Sequence, residues 1–522
     1  MLAPKDLVKA HPKGEEKRTP NPRAEEAISV DTYAGKIQVR WEPDAAVSAL
    51  GQMPFFIEFL KTAGLFDRWV ADCPVRYRSP NAPEKRDVLG TILLSVLAGH
   101  WRYSHISSLR GDGVNPELLG MKKVASEDSV RRLLLQTGVK KAPWEQWLSQ
   151  HLRASYEPLL EEPWILDVDS TVKPLYGHQE EAKVGYNPQK PGRPSHVYHS
   201  YFVGGLRLVL DVEVQAGNQT APSYAQPGLW KFIDGLPDQQ RPGLLRGDCH
   251  WGSEKMMLGA EQRGLNYLFK LRQTKNVHKL IERLIAAPGW ENAGQGWQGV
   301  ACELQLQGWS RARRVVVLRR PLREKKTGTE DKASGATQLR LKGTELIHQG
   351  VLHEYAVLVT SLSWEVLSIA QLYRDRGDAE NNYDELKNQW GWCGYTTHDH
   401  HRCALMARII ALIYNWWTLY TRLVTPDKHA EAITSRPLML HGIARQTRHS
   451  NQTTVTITST HAQCSPIAKA VGAVSRFLNW IKANAEQLTQ RERWKLILSR
   501  AFDKYLHGKG LGGTAKLTAA PT

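Results

Sequence analysis

Polar and apolar positions alternate with a period that changes along the chain, and each change predicts a different kind of element. Residues 1–27, including HPKGEEKRTPNPRAEE, show no apolar period and are broken by proline, which predicts a disordered tail. From 45 to 155 apolar residues recur three and four apart, in AVSALGQMPFFIEFLKTAGLFDRWV, KRDVLGTILLSVLAGHWRYSHISSLRG and SEDSVRRLLLQTGV. Ser126 stands where an N-cap is expected. This predicts an all-α N-terminal domain over 28–155. At 163 the period shortens, and PWILDVDS, HVYHSYFVGG and RLVLDVEVQAG read as three consecutive strands. Helix PSYAQPGLWKFIDGL, strand GLLRGD, helix SEKMMLGAEQRG and strand LNYLFKL follow. Three strands and then alternating helix and strand predict a mixed sheet with flanking helices over 160–272. Beyond 273, VACELQLQGW and RRVVVLRR read as β-ribbon, giving a β-rich insertion over 273–362. EYAVLVTSL leads into a helix at 373–390, within a segment 363–425 that returns to the core. The region 426–522 is read as helical, with LHGKGLGGTAKLTAAPT as a frayed end.

The most apolar run, ALMARIIALIYNWW at 404–417, contains Arg408 and Asn415 and falls short of the ~20 residues that span a bilayer, so it is read as a buried helix with no membrane partner. The 522 residues exceed one ordinary core and predict several domains. Lys and Arg number 69 against 52 Asp and Glu, and the net charge of +17 favours a polyanionic partner. Six cysteines lie far apart with no C-x-x-C pair, and the N-terminus carries no secretory apolar stretch, which places the chain in a reducing cytosol.

Against this background one polar stretch stands out. In YRDRGDAENNYDELKNQW, Tyr373, Arg376, Glu380 and Lys387 are offset by three, seven and fourteen, which on one helix places them within about 60° of each other. Asp384, at offset eleven, shares that face and is a rival carboxylate; Asp378 and Glu385 point elsewhere and are expected to be solvated. Asp167 and Asp169 lie two apart in ILDVDST, on one side of a strand, and Asp248 ends the strand GLLRGD. Carboxylates from two strands and this helix can converge on two divalent ions about 4 Å apart, an arrangement suited to phosphodiester chemistry, with Mg2+ or Mn2+ as the hard-oxygen ions. Other signals have a plainer reading beside the functional one. HDHH at 398–401 is a metal cluster or a loop before a helix. RARRVVVLRRPLREKK at 311–326 tracks a DNA backbone or is a solvated ribbon. Trp297 and Trp309 stack on a displaced base or pack in a core. Lys190 and Arg193 in KPGRPSH touch phosphate or decorate a proline turn.

These residues carry a resemblance. The chain resembles the DDE transposases of bacterial insertion sequences, in the cut-and-paste group marked by Y-x2-R-x3-E-x6-K, which Tyr373, Arg376, Glu380 and Lys387 match at every offset. LDVDSTVKPLYGHQEEAKVGYNPQKPGRPSH at 166–196 is similar to the block around the family's first aspartate, and LRGDCHWGSEKMM at 245–257 to the second; together the blocks cover roughly 160–425. The resemblance implies a ribonuclease-H-like catalytic core interrupted by the β-rich insertion, and Asp169, Asp248 and Glu380 as ligands of two metal ions. Asp169 is preferred to Asp167 because Ser170 and Thr171 follow it in the family's D-x-T pattern. It further implies that Tyr373, Arg376 and Lys387 contact phosphates, that cleavage passes through a hairpin, and that a homodimer pairs two DNA ends carrying terminal inverted repeats before they join target DNA. The helices of 28–155 are then the reader of those repeats, and the place of work is the bacterial cytosol at the nucleoid. A nuclease of the same fold without strand transfer, and an inactive DNA-binding derivative, are the competing expectations.

Overall fold

The computed structural model describes residues 27–42, 44–77, 79–136, 141–187, 189–322, 345–348, 351–458 and 463–512. The tail expected at 1–27 lies outside the described residues except for Ala27, as do the last ten residues and the end of the basic run beyond Leu322.

The strands Ile165–Pro174, Pro194–Val203 and Leu208–Ala216 form an antiparallel meander. Leu244–Gly247 then joins the free side of the first strand in parallel, and Asn266–Lys270 extends that parallel pair. Numbered along the chain, these five strands stand in the order 3-2-1-4-5. Pro194–Val203 is buried at every position after its first residue, as expected for a strand covered on both faces. Gly247 lies where the fourth strand passes the first: a Cβ there would come within 2.9 Å of Trp251 Cβ and 3.1 Å of Val168 Cγ2, so a side chain would push apart the strands that carry Asp169 and Asp248.

The insertion does not form a separate ribbon. Val351–Thr360 pairs antiparallel with Asn266–Lys270, and Arg313–Pro321, Trp297–Leu304 and Glu291–Gly294 continue outward. Among the described residues, one mixed sheet of eleven strands results. The fifth strand would otherwise expose an unpaired edge, and these added strands cover it.

The helices expected between 45 and 155 form as Met53–Ala63, Leu65–Asp72, Lys85–Leu97, Glu127–Leu135 and Lys141–Tyr156, with the Ser126 side chain accepting from the Ser129 backbone N–H. The region is not all-α. Ile28–Thr32 and Gly35–Val39 form an exposed hairpin whose two-residue turn, Tyr33–Ala34, separates runs of alternating apolar residues. Val47–Ser48 pairs with Ala444–His449, which pairs in turn with Gln452–Ile457. The region after 426 is therefore also partly β: QTTVTI, rich in β-branched residues, folds back on ARQTRH around a turn at Ser450 with φ of 53°. The N-terminal helices pack against Cys464–Ala483, with Glu58 of the first helix held by Ser475 and Lys482.

The long helix His400–Val424 ties this helical layer to the sheet. It is long and apolar enough to cross a membrane, yet 89% of its apolar window is buried within the protein. Trp416 and Trp417 meet Trp69 and Phe56 of the N-terminal helices. On the sheet side Asn415 accepts from Val209 N at 2.9 Å and donates to Val209 O at 2.8 Å and to Ser155 Oγ at 3.1 Å. The two polar interruptions of the apolar run are thus its fasteners: Arg408 likewise pairs with Asp211 at 2.8 Å. Asn415→Ala should leave buried backbone groups of Val209 unpaired and lower stability by about 1–3 kcal/mol per group, read as a lower urea midpoint at unchanged slope.

Candidate active site

Asp167 and Asp169 point to the same side of the first strand, but their surroundings differ. Arg246 stands opposite Asp167 in the parallel register and forks onto it, with Nε–Oδ1 at 2.6 Å and Nη2–Oδ2 at 2.7 Å. Both side chains are sealed, and Arg246 also donates to Leu372 O. Asp167 is therefore a structural ion pair with no free oxygen facing a cleft. Asp169, two residues on, opens toward the segment that carries the polar motif. There Arg376 donates to Asp169 Oδ2 and, through Nη1, to Glu380 Oε1 at 3.2 Å.

The motif does not lie on one helix. Val366–Arg374 ends one residue after Tyr373, and Gly377–Asn388 begins one residue after Arg376. The joint is closed by i→i+3 hydrogen bonds, Arg376 N to Tyr373 O at 3.1 Å and Ala379 N to Arg376 O at 2.8 Å, and Gly377 adds a residue of low helix propensity. Arg376 is turned inward by this bend and is 3% exposed. Tyr373, at the end of the first helix, sits within the fields of Arg376, Asp248 and Glu380; burial raises its hydroxyl pKa. Glu380 stays mostly exposed and reaches Asp169 through Arg376.

Asp248 caps the end of the fourth strand. Its Oδ1 accepts from His250 N and its Oδ2 faces His250 Nδ1, each at 2.9 Å. Burial opposes ionisation of Asp248, but the bonds from His250 outweigh it and hold the carboxyl below its usual range. His250 is raised in return to about 10, first by Asp248. Asp169 goes the other way: burial and the neighbouring charge of Asp248 push it up to about 6 against the pull of Arg376. Asp169 holds Arg376 protonated despite that side chain's burial. Arg376 thus links Asp169, midway along the first strand, to Glu380 on the second helix, with Asp248 and Tyr373 near enough for their charges to act on this pair.

The rear face of Gly377–Asn388 is not solvated as the helical count suggested. Glu385 is 1% exposed. It accepts from His429 at 2.7 Å, from the backbone N–H of Ala432 at 2.9 Å and from Trp390 Nε1 at 3.1 Å. Asp378 accepts from Arg207 Nε at 2.8 Å, and the same guanidinium lies 3.6 Å from Glu385. Arg207 occupies the tight turn between the second and third strands at φ of 58°, so one buried cation clamps the helix to the sheet. Asp384, the rival on the motif face, is exposed and accepts from Asn388 at 2.7 Å. Neither Arg246 nor Arg207 was singled out from sequence, because each acts through strand pairing and a turn that a linear reading does not supply. His250 was visible beside Asp248 in GDCHW but carried no spacing rule.

Lys387 lies apart from the carboxylates, in a cleft of about 580 Å³ with Trp101, Arg102, Tyr176, Gln179 and Asn388. No carboxylate is among the described residues that line it. Arg193 and Lys190 stack on exposed Tyr176 at 4.8 and 4.9 Å, at the edge of the same cleft. The basic strand is internally neutralised instead: Arg313 pairs with Glu254 and Glu261, Arg320 with Glu354, and Arg314 donates to the carbonyls of Leu362 and Trp364. Trp309 is buried beneath Arg313, and half-buried Trp297 carries Arg320 at 4.7 Å. In HDHH, Asp399 caps the long helix by accepting from Arg402 N at 2.7 Å, while His401 lies 3.8 Å from Glu145.

The chain belongs to the transposases with a DDE domain of group 1: the family model described as Transposase DDE domain group 1 matches residues 34–479. Among solved structures, a piggyBac transposase synaptic complex with hairpin DNA matches at 12% identity, covering 87% of this chain and 85% of that one, with a TM-score of 0.38. Among curated proteins nothing matches.

Two stability measurements separate the structural carboxylates from the site. Asp167→Ala strands buried Arg246 and should lower unfolding free energy by about 3–5 kcal/mol in thermal or denaturant unfolding. Burial disfavours charge on Glu385, but the donors around it, His429 first, hold its pKa below the unfolded value. Its contribution is therefore present above the unfolded pKa and lost as pH falls through the folded one. Glu385→Gln should melt lower than wild type at pH 7, with the gap closing as the solution is acidified below about pH 4.

Proposed function

We propose that this transposase serves a bacterial insertion sequence, cutting DNA at the element's ends and joining them to target DNA by metal-dependent phosphoryl transfer. The observation that supports this reading is the bridge from Asp169 through Arg376 to Glu380, with the charge of Asp248 acting on Asp169, together with membership of the DDE family. The 3-2-1-4-5 order, with the first three strands antiparallel and the last two parallel, supports a ribonuclease-H-like core with Asp169 and Asp248 on neighbouring strands.

The donor set suits hard divalent cations: three carboxylates, of which buried Asp169 is destabilised by the charge of Asp248. Asp169, Asp248 and Glu380 would hold two Mg2+ or Mn2+ ions, whose chemistry would be activation of the attacking oxygen and neutralisation of charge on the leaving one. The chain's own residues do the rest. Arg376 fixes Asp169 and Glu380 relative to each other across the helix joint. Tyr373 offers a hydroxyl beside them. Lys387, Arg102 and Arg193 give the adjoining cleft its positive charge, where a phosphate backbone can lie. Hydrolysis of one strand frees a 3′-hydroxyl, and that hydroxyl attacks a phosphodiester either of the opposite strand, closing a hairpin, or of target DNA, in each case breaking that bond and releasing a 3′-hydroxyl on the attacked strand. A homodimer pairs two ends bearing inverted repeats, with the helices of 28–155 and the C-terminal region reading the repeats, in the bacterial cytosol.

The test is cleavage and strand transfer on a fragment carrying the DNA that flanks this gene, with denaturing gels to show hairpins. Asp169→Ala, Asp248→Ala and Glu380→Ala should each lower cleavage by at least about 10²–10³-fold, the cost of removing one preorganised charge-stabilising group, with DNA binding still measurable. Mn2+ should raise the melting temperature of wild type and not of Asp169→Ala. Undiminished cleavage by Asp248→Ala would remove that residue from the site, and cleavage without transfer from precut ends would make the protein a nuclease.

A further inference from the structure

The turn that carries Asp248 holds a second set of donors. Asp248, Cys249 and His250 are consecutive, and their carboxylate, thiol and imidazole ligand atoms all lie within 4.8 Å of one another. Asp248 Oδ2 is 2.9 Å from His250 Nδ1, and Cys249 Sγ is 4.0 Å from the same nitrogen. Donors at the corners of a tetrahedron with metal bonds of about 2.0–2.3 Å stand roughly 3.3–3.8 Å apart, so small side-chain rotations bring all three onto one ion. The three residues are half-buried, which leaves a route in from solvent, and the Tyr186 ring stands 6.0 Å from that of His250 as a wall.

This set differs in chemistry from the three carboxylates. Oxygen-only sites suit Mg2+ and Mn2+, whereas thiolate and imidazole select Zn2+. Asp248 belongs to both sets, so an ion held at this turn competes with the carboxylate set for its oxygens. We propose that the Asp248, Cys249 and His250 turn binds Zn2+ through one oxygen, one sulfur and one nitrogen, with water as fourth ligand, and that this ion withdraws Asp248 from the active site. On binding, the thiol gives its proton to solvent and the imidazole nitrogen sheds the hydrogen it shares with Asp248, so each presents a lone pair. The zinc site stands on its own donors; only its effect on cleavage rests on the catalytic role of Asp248.

Binding is measured first, on the full chain without DNA, by competition for Zn2+ with a chromophoric chelator and by the thiolate-to-metal absorption of Co2+ in its place. Wild type should take up a tightly held ion. Cys249→Ala and His250→Ala should each weaken it by more than the about 10–100-fold that loss of an outer partner alone costs. The cobalt–thiolate band should vanish in Cys249→Ala and persist in Cys393→Ala. Cys249→Ser, which keeps the size and removes the soft donor, answers the same question should the alanine variant fail to fold. Zinc affinity unchanged in the folded variants, or a cobalt band that survives loss of Cys249, overturns the site. In Mg2+-supported cleavage, Zn2+ should inhibit wild type and inhibit Cys249→Ala less; equal inhibition overturns the withdrawal of Asp248. Should no cleavage occur at all, the transposase reading fails while the binding measurements still decide the zinc site.

Discussion

The bridge from Asp169 through Arg376 to Glu380 is the interaction on which the rest of the arrangement depends. It joins a strand in the middle of the sheet to a helix more than two hundred residues later, and it does so from inside a bend. At this i→i+3 joint the guanidinium is buried, which strengthens its pairing with Asp169, while Glu380 remains at the rim. Burial also sets the two aspartates apart: Asp248 is quieted by His250, and Asp169, crowded by Asp248, is left with a carboxyl that holds its proton more readily than usual. Two acids on neighbouring strands thus differ in character because of what surrounds them.

That bridge would be loose if the helix behind it could shift. The rear of Gly377–Asn388 is gripped from two directions, by Arg207 in a turn of the sheet and by the His429–Ala432 segment that meets Glu385. Arg436 carries the connection further. It donates to Gln389 O at 2.6 Å, just past the end of the glutamate helix, and to Val96 O at 3.0 Å, at the end of an N-terminal helix, and it lies over Trp390 at 4.3 Å. Its burial without a carboxylate partner in hydrogen-bond contact lowers its pKa to about 10, the cost of placing a cation where it can hold two carbonyls at once. The N-terminal helices, the C-terminal segment and the helix bearing Glu380 are therefore one mechanical unit.

Charge is distributed by the same logic of pairing. The arginines of 311–320 form the densest basic run in the described chain, yet they are spent on glutamates, carbonyls and tryptophan faces within the extended sheet. The cleft beside Lys387 has fewer cations and no carboxylate among its described lining residues, so its charge remains available to a ligand. Density of positive residues along a sequence does not locate a positive surface.

By itself the sequence determined the kinds of element and the residues that chemistry could use. The β-branched and aromatic runs ILDVDS and HVYHSYFV marked two neighbouring strands of the sheet, the apolar run at 404–417 marked its covering helix, and the motif offsets marked Tyr373, Arg376 and Glu380, because composition and spacing are local properties of a chain. Only the tertiary structure set the different partners of Asp167 and Asp169, since Arg246 lies opposite Asp167 in a neighbouring strand while Arg376 reaches Asp169 from a distant helix joint. It alone bent the motif helix, buried Glu385, and turned the insertion into more of the same sheet, because each of these is settled by a partner distant in sequence whose position exists only once the chain has folded.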